Sequence, residues 1–265
     1  RDVDRHMMKL IHSLEDTGQI DNTIIFMISD HGEMLGQQGA RGKIVSWEES
    51  IRVPTLVYHP DLKDKKLCNS VISNIDIVPT LLEFTGLSKS ELRDKHPELK
   101  GNSYAELVEN VNYDNVRDKE GHLIHGVQII PTVFEVAEKF RHTALADGFL
   151  AKTKAFMSEG KFLPDFTPPL NYKGVVDKKH KFLRFFSPRQ NNIPTNYDEL
   201  TKYNAEYQLY DLENDPFEMN DLAKDENNRD LLMSMNDKCN TLADKEIGLE
   251  NHVIHLPGPD WFWTA

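Results

Sequence analysis

The chain has 265 residues, 39% of them hydrophobic and 28% charged, a balance ordinary for a globular protein with a large core and room for one large or two smaller domains. A net charge of −12 argues against a nucleic-acid groove or an anionic membrane surface, both of which need clustered Lys and Arg. No apolar run approaches the roughly 20 residues of a membrane span, and the first residues do not form a signal peptide.

The chain opens inside a helical pattern, so a true N-terminus with any export signal is expected to lie upstream, and the compartment stays open. Val3, Met7, Leu10, Ile11 and Leu14 recur at helical spacing, predicting an amphipathic helix that stops near Asp16-Thr17-Gly18. Residues 23–29 follow as an apolar, β-branched run that reads as a buried strand. Asp30 and His31 stand where that strand ends, with Gly32 freeing the backbone behind them. In open α/β sheets the carboxyl ends of strands are where ligands bind. A carboxylate and an imidazole there can present one oxygen and one nitrogen to a divalent cation. Taken alone, Asp-His-Gly is more often a helix cap or a turn. The loop to Lys43 carries Gly32, Gly36, Gly39 and Gly42, a density that suggests backbone bending close to a ligand. Trp47-Glu48-Glu49-Ser50-Ile51-Arg52-Val53-Pro54 comes next; Glu48 and Arg52 have the i,i+4 spacing of a local ion pair, and Trp47 is expected to pack.

SDHGEMLG at a strand end, then Gly42-Lys43, three residues, an aromatic and EES-RVP, closely resembles the sulfatase family of the alkaline-phosphatase superfamily. The resemblance implies hydrolysis of a sulfate monoester at sulfur. A hydrated formylglycine attacks, a divalent cation, usually Ca²⁺, neutralises the sulfate oxygens, and basic side chains stabilise the leaving oxygen. It implies Asp30 and His31 as metal ligands, His31 standing where many relatives have Asn, and Lys43 as the catalytic, sulfate-binding cation; His31 also adjoins substrate. Read by itself, Lys43 is an ordinary surface lysine. The formylglycine of this family arises from a cysteine in C-x-[PA]-x-R. Cys68 precedes Asn69-Ser70-Val71 and Cys239 precedes Asn240-Thr241-Leu242, so neither is that nucleophile; both read as small hydrophobes.

Residues 54–59 read as the next strand, and residues 61–66 as an exposed, solvated loop. Residues 73–87, SNIDIVPTLLEFTGL, carry a polar start, an early proline and a Gly86 stop; they resemble the family's D-x-x-PTLL helix outside the pocket, with Asp76 structural. Gly101-Asn102-Ser103 with Leu107 loosely resembles the segment closing the large domain. His122 and His125 lie three apart between Gly121 and Gly126, in a strand or loop where a helical metal pair is disfavoured. Arg141 and His142 are equally open. Further on, residues 172–186 predict two strands around Asp177-Lys178-Lys179, residues 187–206 a loop, and residues 207–212 another strand. Leu231, Met235, Cys239 and Leu242 mark one face of a helix over residues 226–247. LYDLENDPFEMNDLA resembles the family's C-terminal signature and lacks EF-hand spacing, which favours turns and caps over a calcium loop. The aromatics of HLPGPDWFW near the end either fold back onto the body or line a substrate rim or subunit contact.

The expected fold is α/β: the C-terminal half of an alkaline-phosphatase-like mixed or parallel sheet flanked by helices, then a small α+β subdomain with a short antiparallel sheet and a packed helix. Expected boundaries are 1–110 for the large-domain part, 111–142 for a connector and 143–265 for the subdomain. The expected function is that of a sulfuric ester hydrolase fragment, inactive without an N-terminal half that carries the formylglycine and the remaining ligands. Alternatives are a phosphonate monoester or phosphodiester hydrolase of the superfamily, or a non-catalytic scaffold domain. The partners expected are a sulfate ester and that N-terminal half, with no nucleic acid and no membrane, and the oligomeric state is open.

Overall fold

The computed structural model describes residues 2–43, 45–62, 65–127, 171–186, 193–203 and 206–248. Contacts divide the chain into two units, Arg1–Lys43 with Trp47–Lys119, and Ile44–Ser46 with Glu120–Ala265. The tail aromatics, Arg141 and His142 lie outside the described residues.

In the first unit, α1 (Asp2–Asp16) forms as the heptad-like spacing predicts, and Gly18 at φ +66° ends it. No residue of α1 is buried, and Val3 and Leu10 are 71% and 62% exposed. The apolar run condenses into a strand shorter than expected, β1 (Ile25–Met27), paired with β2 (Leu56–Tyr58). That pair is antiparallel, Phe26 opposite Val57, so among the described residues the first sheet has no parallel ladder. The short helix α2 (Glu48–Ile51) lies between the two strands in sequence, and the Arg52 N–H donates to the Glu48 carbonyl, so backbone joins the residues expected to pair through side chains.

Ser73 and Asp76 form a reciprocal capping box over a 3₁₀ turn (Asn74–Asp76), which runs into α3 (Ile77–Phe84) and stops at Gly86 with φ +99°. Three short helices follow, α4 (Lys89–Lys95), α5 (Ala105–Glu109) and α6 (Val116–Glu120). What ties α6 and the segment leading into α5 to the start of α3 is Asp76, 1% exposed. Its carboxylate accepts from Arg117 Nε at 2.6 Å and Nη2 at 2.7 Å, and from the backbone N–H groups of Ser73 and Asn102 at 2.9 and 2.7 Å. Thr80 Oγ1 donates to the Asp76 carbonyl and accepts from the Tyr104 N–H. Asp76 is therefore the structural residue the sequence pattern predicts, with every lone-pair direction used.

The second unit is a four-stranded antiparallel sheet in the order β3 (His122–Val127), β4 (Asn171–Val176), β5 (His180–Phe185), β6 (Glu206–Asp211). β4 and β5 flank Asp177-Lys178-Lys179 as expected, and Asp177 Oδ1 accepts from the Lys179 and His180 N–H groups to close the turn. Leu123, Val175, Phe182 and Leu209 are successive cross-strand partners on one face. Against them packs α8 (Arg229–Glu246) with Leu232, Met235, Cys239 and Leu242; Leu232, not Leu231, completes the buried stripe. Each such side chain contributes about 1.5–3 kcal/mol by leaving water. The stretch expected as loop between β5 and β6 contains a helix, α7 (Tyr197–Tyr203), started by Asn196 Oδ1 accepting from the Glu199 N–H and anchored by Leu200 at 0% exposure. In LYDLENDPFEMNDLA the carboxylates bind backbone: Asp211 accepts from Glu213 and Asn214, Asp215 from Asn220, and Asp221 from Leu209 and Ala223. These are turns and caps, as the spacing implied.

β3 also settles the histidine pair, because residues three apart on a strand point to opposite faces. His125 shares its face with Lys173 of β4. His125 as a whole residue is exposed, but desolvation of its ring pushes the imidazole down to about 4, and the Lys173 charge acts in the same direction. Between that value and the ordinary 6.5 the unfolded chain holds a proton that the folded chain lacks, so acidification through this window lowers stability. Melting curves of the chain are expected to show a fall across that window, and His125→Gln to flatten it; an unchanged slope in the variant would remove His125 as the cause.

Candidate active site

The site grows from the end of β1. Past Met27 the Ser29 hydroxyl donates to the His31 carbonyl at 2.9 Å, and the Asp30 carboxylate accepts from the His31 N–H at 3.0 Å. This Asx-like turn aims both side chains outward; the Asp30 side chain is 83% exposed and that of His31 36%. Behind them, the Gly32 N–H donates to the Ser50 carbonyl at 2.7 Å, and a Cβ on residue 32 would run into the Glu49 carbonyl. Only glycine lets the tip lie this close to α2. On a third side, Asn74 Nδ2 donates to the Ser29 carbonyl at 3.1 Å and approaches that of Asp30 at 3.5 Å.

The following loop doubles back. Met34 is fully buried and its N–H meets the Gly42 carbonyl at 2.9 Å, while Gly36, Gly39 and Gly42 all have positive φ. Leu35 and Gln38 share that left-handed region at φ 48° and 51°, where side-chain residues are strained. The turn returns Lys43 to the strand tip, its Nζ 2.5 Å from His31 Nε2 across twelve residues of sequence. The three residues singled out in the sequence are thus neighbours in space.

Their hydrogen bonds set their chemistry. His31 Nδ1 lies 2.8 Å from the Gly32 carbonyl, a contact only an N–H can make, so the proton of the neutral ring sits there and Nε2 carries a lone pair. Nε2 is 3.3 Å from Asp30 Oδ2. Two acceptors at that separation repel unless a positive charge stands between or beside them. The Lys43 ammonium supplies one, and a divalent cation held by both atoms would supply another. The His31 backbone N–H, assisted by the Lys43 charge, holds the Asp30 carboxyl below the usual carboxylate range, so it is ionised at neutral pH. An anchored imidazole proton that leaves the opposite nitrogen free is the arrangement of metal-binding histidines. Among the described residues no group of three or more His, Cys, Asp or Glu could hold a metal. Of the two cysteines, Cys239 is buried and Cys68 half-buried, and both are free thiols. A groove of about 600 Å³ runs along α8 in the second unit, but its Lys238 and Lys245 are already paired with Asp177 and Glu120.

Sequence reasoning assigned Asn74 only to the start of a helix. Its contact with the tip spans 45 residues, and no local pattern signals it.

Residues 1–87 match the family model described as Sulfatase. This segment is similar to the sulfatase family. An extracellular sulfatase SULF-1 homologue of Drosophila melanogaster is 36% identical over 93 residues, covering 35% of this chain and 8% of that protein. The ulvan-active sulfatase of Formosa agariphila is 38% identical over 105 residues, covering 38% and 19%. The chain spans 8% to 22% of such relatives. The fold extends the likeness: a phosphonate monoester hydrolase of Agrobacterium radiobacter superposes with TM-score 0.59 at 21% identity, covering 92% of this chain and 39% of the other. The likeness in fold therefore covers the second unit as well, where sequence identity has faded. The fold is the mixed α/β, alkaline-phosphatase-like one, with small antiparallel sheets.

Proposed function

We propose that this chain carries part of the catalytic centre of a sulfuric ester hydrolase and that the complete protein cleaves a sulfate monoester. The observation that carries the proposal is the convergence of Asp30 Oδ2, His31 Nε2 and Lys43 Nζ on one strand tip within the segment similar to the sulfatase family. Asp30 and His31 would hold a divalent cation, Ca²⁺ by family resemblance, and that cation would supply charge neutralisation at the sulfate oxygens. Lys43, a compact and mobile ammonium, would bind a sulfate oxygen and stabilise the charge that builds as the ester bond breaks. His31, locked through Nδ1, keeps its free nitrogen directed at the anion and cation rather than at the backbone.

The same reading makes the chain dependent on an N-terminal half that bears the nucleophile, expected as formylglycine, and the remaining ligands. Three features support this. Among the described residues only two candidate donors meet at the tip, the apolar strand β1 is paired on one side alone, and no residue of the amphipathic α1 is buried. Strands apolar on both faces belong in sheet interiors.

The test measures sulfate release from 4-nitrophenyl sulfate by the complete protein and by the 265-residue chain alone. Turnover is expected only in the former. Release by the isolated chain, abolished by Asp30→Ala, would overturn the dependence on a second half. A complete protein that cleaves a phosphonate monoester and leaves the sulfate ester intact would overturn the substrate class.

A further inference from the structure

Asn74 lies at the start of the 3₁₀ turn that opens α3, and its side-chain amide reaches the carbonyl of Ser29 at 3.1 Å and that of Asp30 at 3.5 Å. The turn itself cannot drift. Ser73 and Asp76 cap each other, and the Asp76 carboxylate is clamped by the Arg117 guanidinium and the Asn102 N–H in a site 1% exposed. Rigidity is thereby passed from a buried ion pair through one exposed amide to the two peptide units that carry the Asp30 side chain. The Gly32 to Ser50 bond restrains the other flank of the tip. Between these restraints only the Asp30 and His31 side chains remain to orient, and the bonds within the tip orient them.

We infer that Asn74 is a positioning residue for the Asp30–His31 pair: its amide fixes the carbonyls of Ser29 and Asp30, and so the direction in which both donors meet a cation. The inference rests on the cation-binding reading of this tip. Loss of one hydrogen bond of this kind leaves the fold intact and lets the donors spread over a wider range, which weakens binding by the share of time they spend misaligned. A carboxylate in place of the amide would face the two carbonyls with no donor, so Asn74→Asp is the harsher change.

The experiment titrates Ca²⁺ into the complete protein by calorimetry and follows apo-protein melting in parallel. Asn74→Ala is expected to weaken affinity about 3- to 10-fold with little change in melting. Asn74→Asp should weaken it more, and Asn74→Gln, which keeps an amide donor, should recover much of the loss. A merely structural residue would lower the melting temperature and leave the affinity of the folded protein unchanged. Asp30→Ala serves as control. If Asp30→Ala abolishes Ca²⁺ binding while Asn74→Ala binds like the wild type, the positioning role is overturned and the cation site stands. If Asp30→Ala binds normally, the cation reading falls and the role of Asn74 falls with it.

Discussion

Asp30→Ala in the complete protein is expected to lower kcat/KM for a sulfate monoester by at least about 100- to 1,000-fold, the loss typical when one preorganised charge-stabilising group is removed. The variant takes away an ionised oxygen and leaves His31 Nε2 and the Lys43 ammonium without their anionic neighbour. Lys43→Ala should cost a similar factor for a different reason. The pair proposed to bind the cation survives, so Ca²⁺ affinity should be retained while kcat falls, because the proposed role of the ammonium is on charge that develops during bond cleavage. Steady-state kinetics combined with Ca²⁺ titration separate the two effects. Equal losses of Ca²⁺ affinity in both variants would mean that Lys43 organises the cation site, and unchanged kinetics in either would remove that residue from the centre. Neither side chain is buried enough to sustain the fold, so both variants should melt like the parent.

Arg117→Met should destabilise the first unit by about 3–5 kcal/mol, the usual cost of stripping one partner from a buried ion pair. Asp76 would keep its two backbone N–H donors and lose both guanidinium contacts, leaving a carboxylate 1% exposed without its countercharge. Urea unfolding is the measurement. Lys119→Ala provides the contrast, because the pair of Lys119 with Asp114 has side chains 72% and 75% exposed and should change stability by less than about 0.5 kcal/mol. A loss below about 1 kcal/mol for Arg117→Met would contradict the role given to Asp76. The same variant should also loosen the strand tip, since the 3₁₀ turn bearing Asn74 hangs from this pair.

Local chemistry made much of this molecule readable in advance. The helix that ends at Gly18, the capped turn at Ser73, the hairpin around Asp177 and the Asp-rich turns after β6 all depend on contacts between residues close in sequence. The chain therefore states them through spacing, capping residues and glycine. Helix α7 was hidden because its polar, Asn-rich flank mimics a loop, and what secures it is Leu200 in a core assembled from distant strands. Among the described residues β1 pairs antiparallel with β2. Its apolar run declares burial but carries no information on which neighbour will pair with it.

For the candidate site, the sequence by itself determined which side chains were available and their order: an acid and an imidazole at a strand end, a lysine beyond a glycine-rich loop, and a family pattern binding them together. Only the tertiary structure decided that the loop folds back until Lys43 meets His31, that Nδ1 rather than Nε2 holds the imidazole proton, and that Asn74 reaches across 45 residues to the Ser29 carbonyl. The physical reason is that residue identity sets what an atom can donate or accept. Which partner it finds depends on distances between segments, and those are created when the buried groups around Asp76 and Met34 are satisfied together.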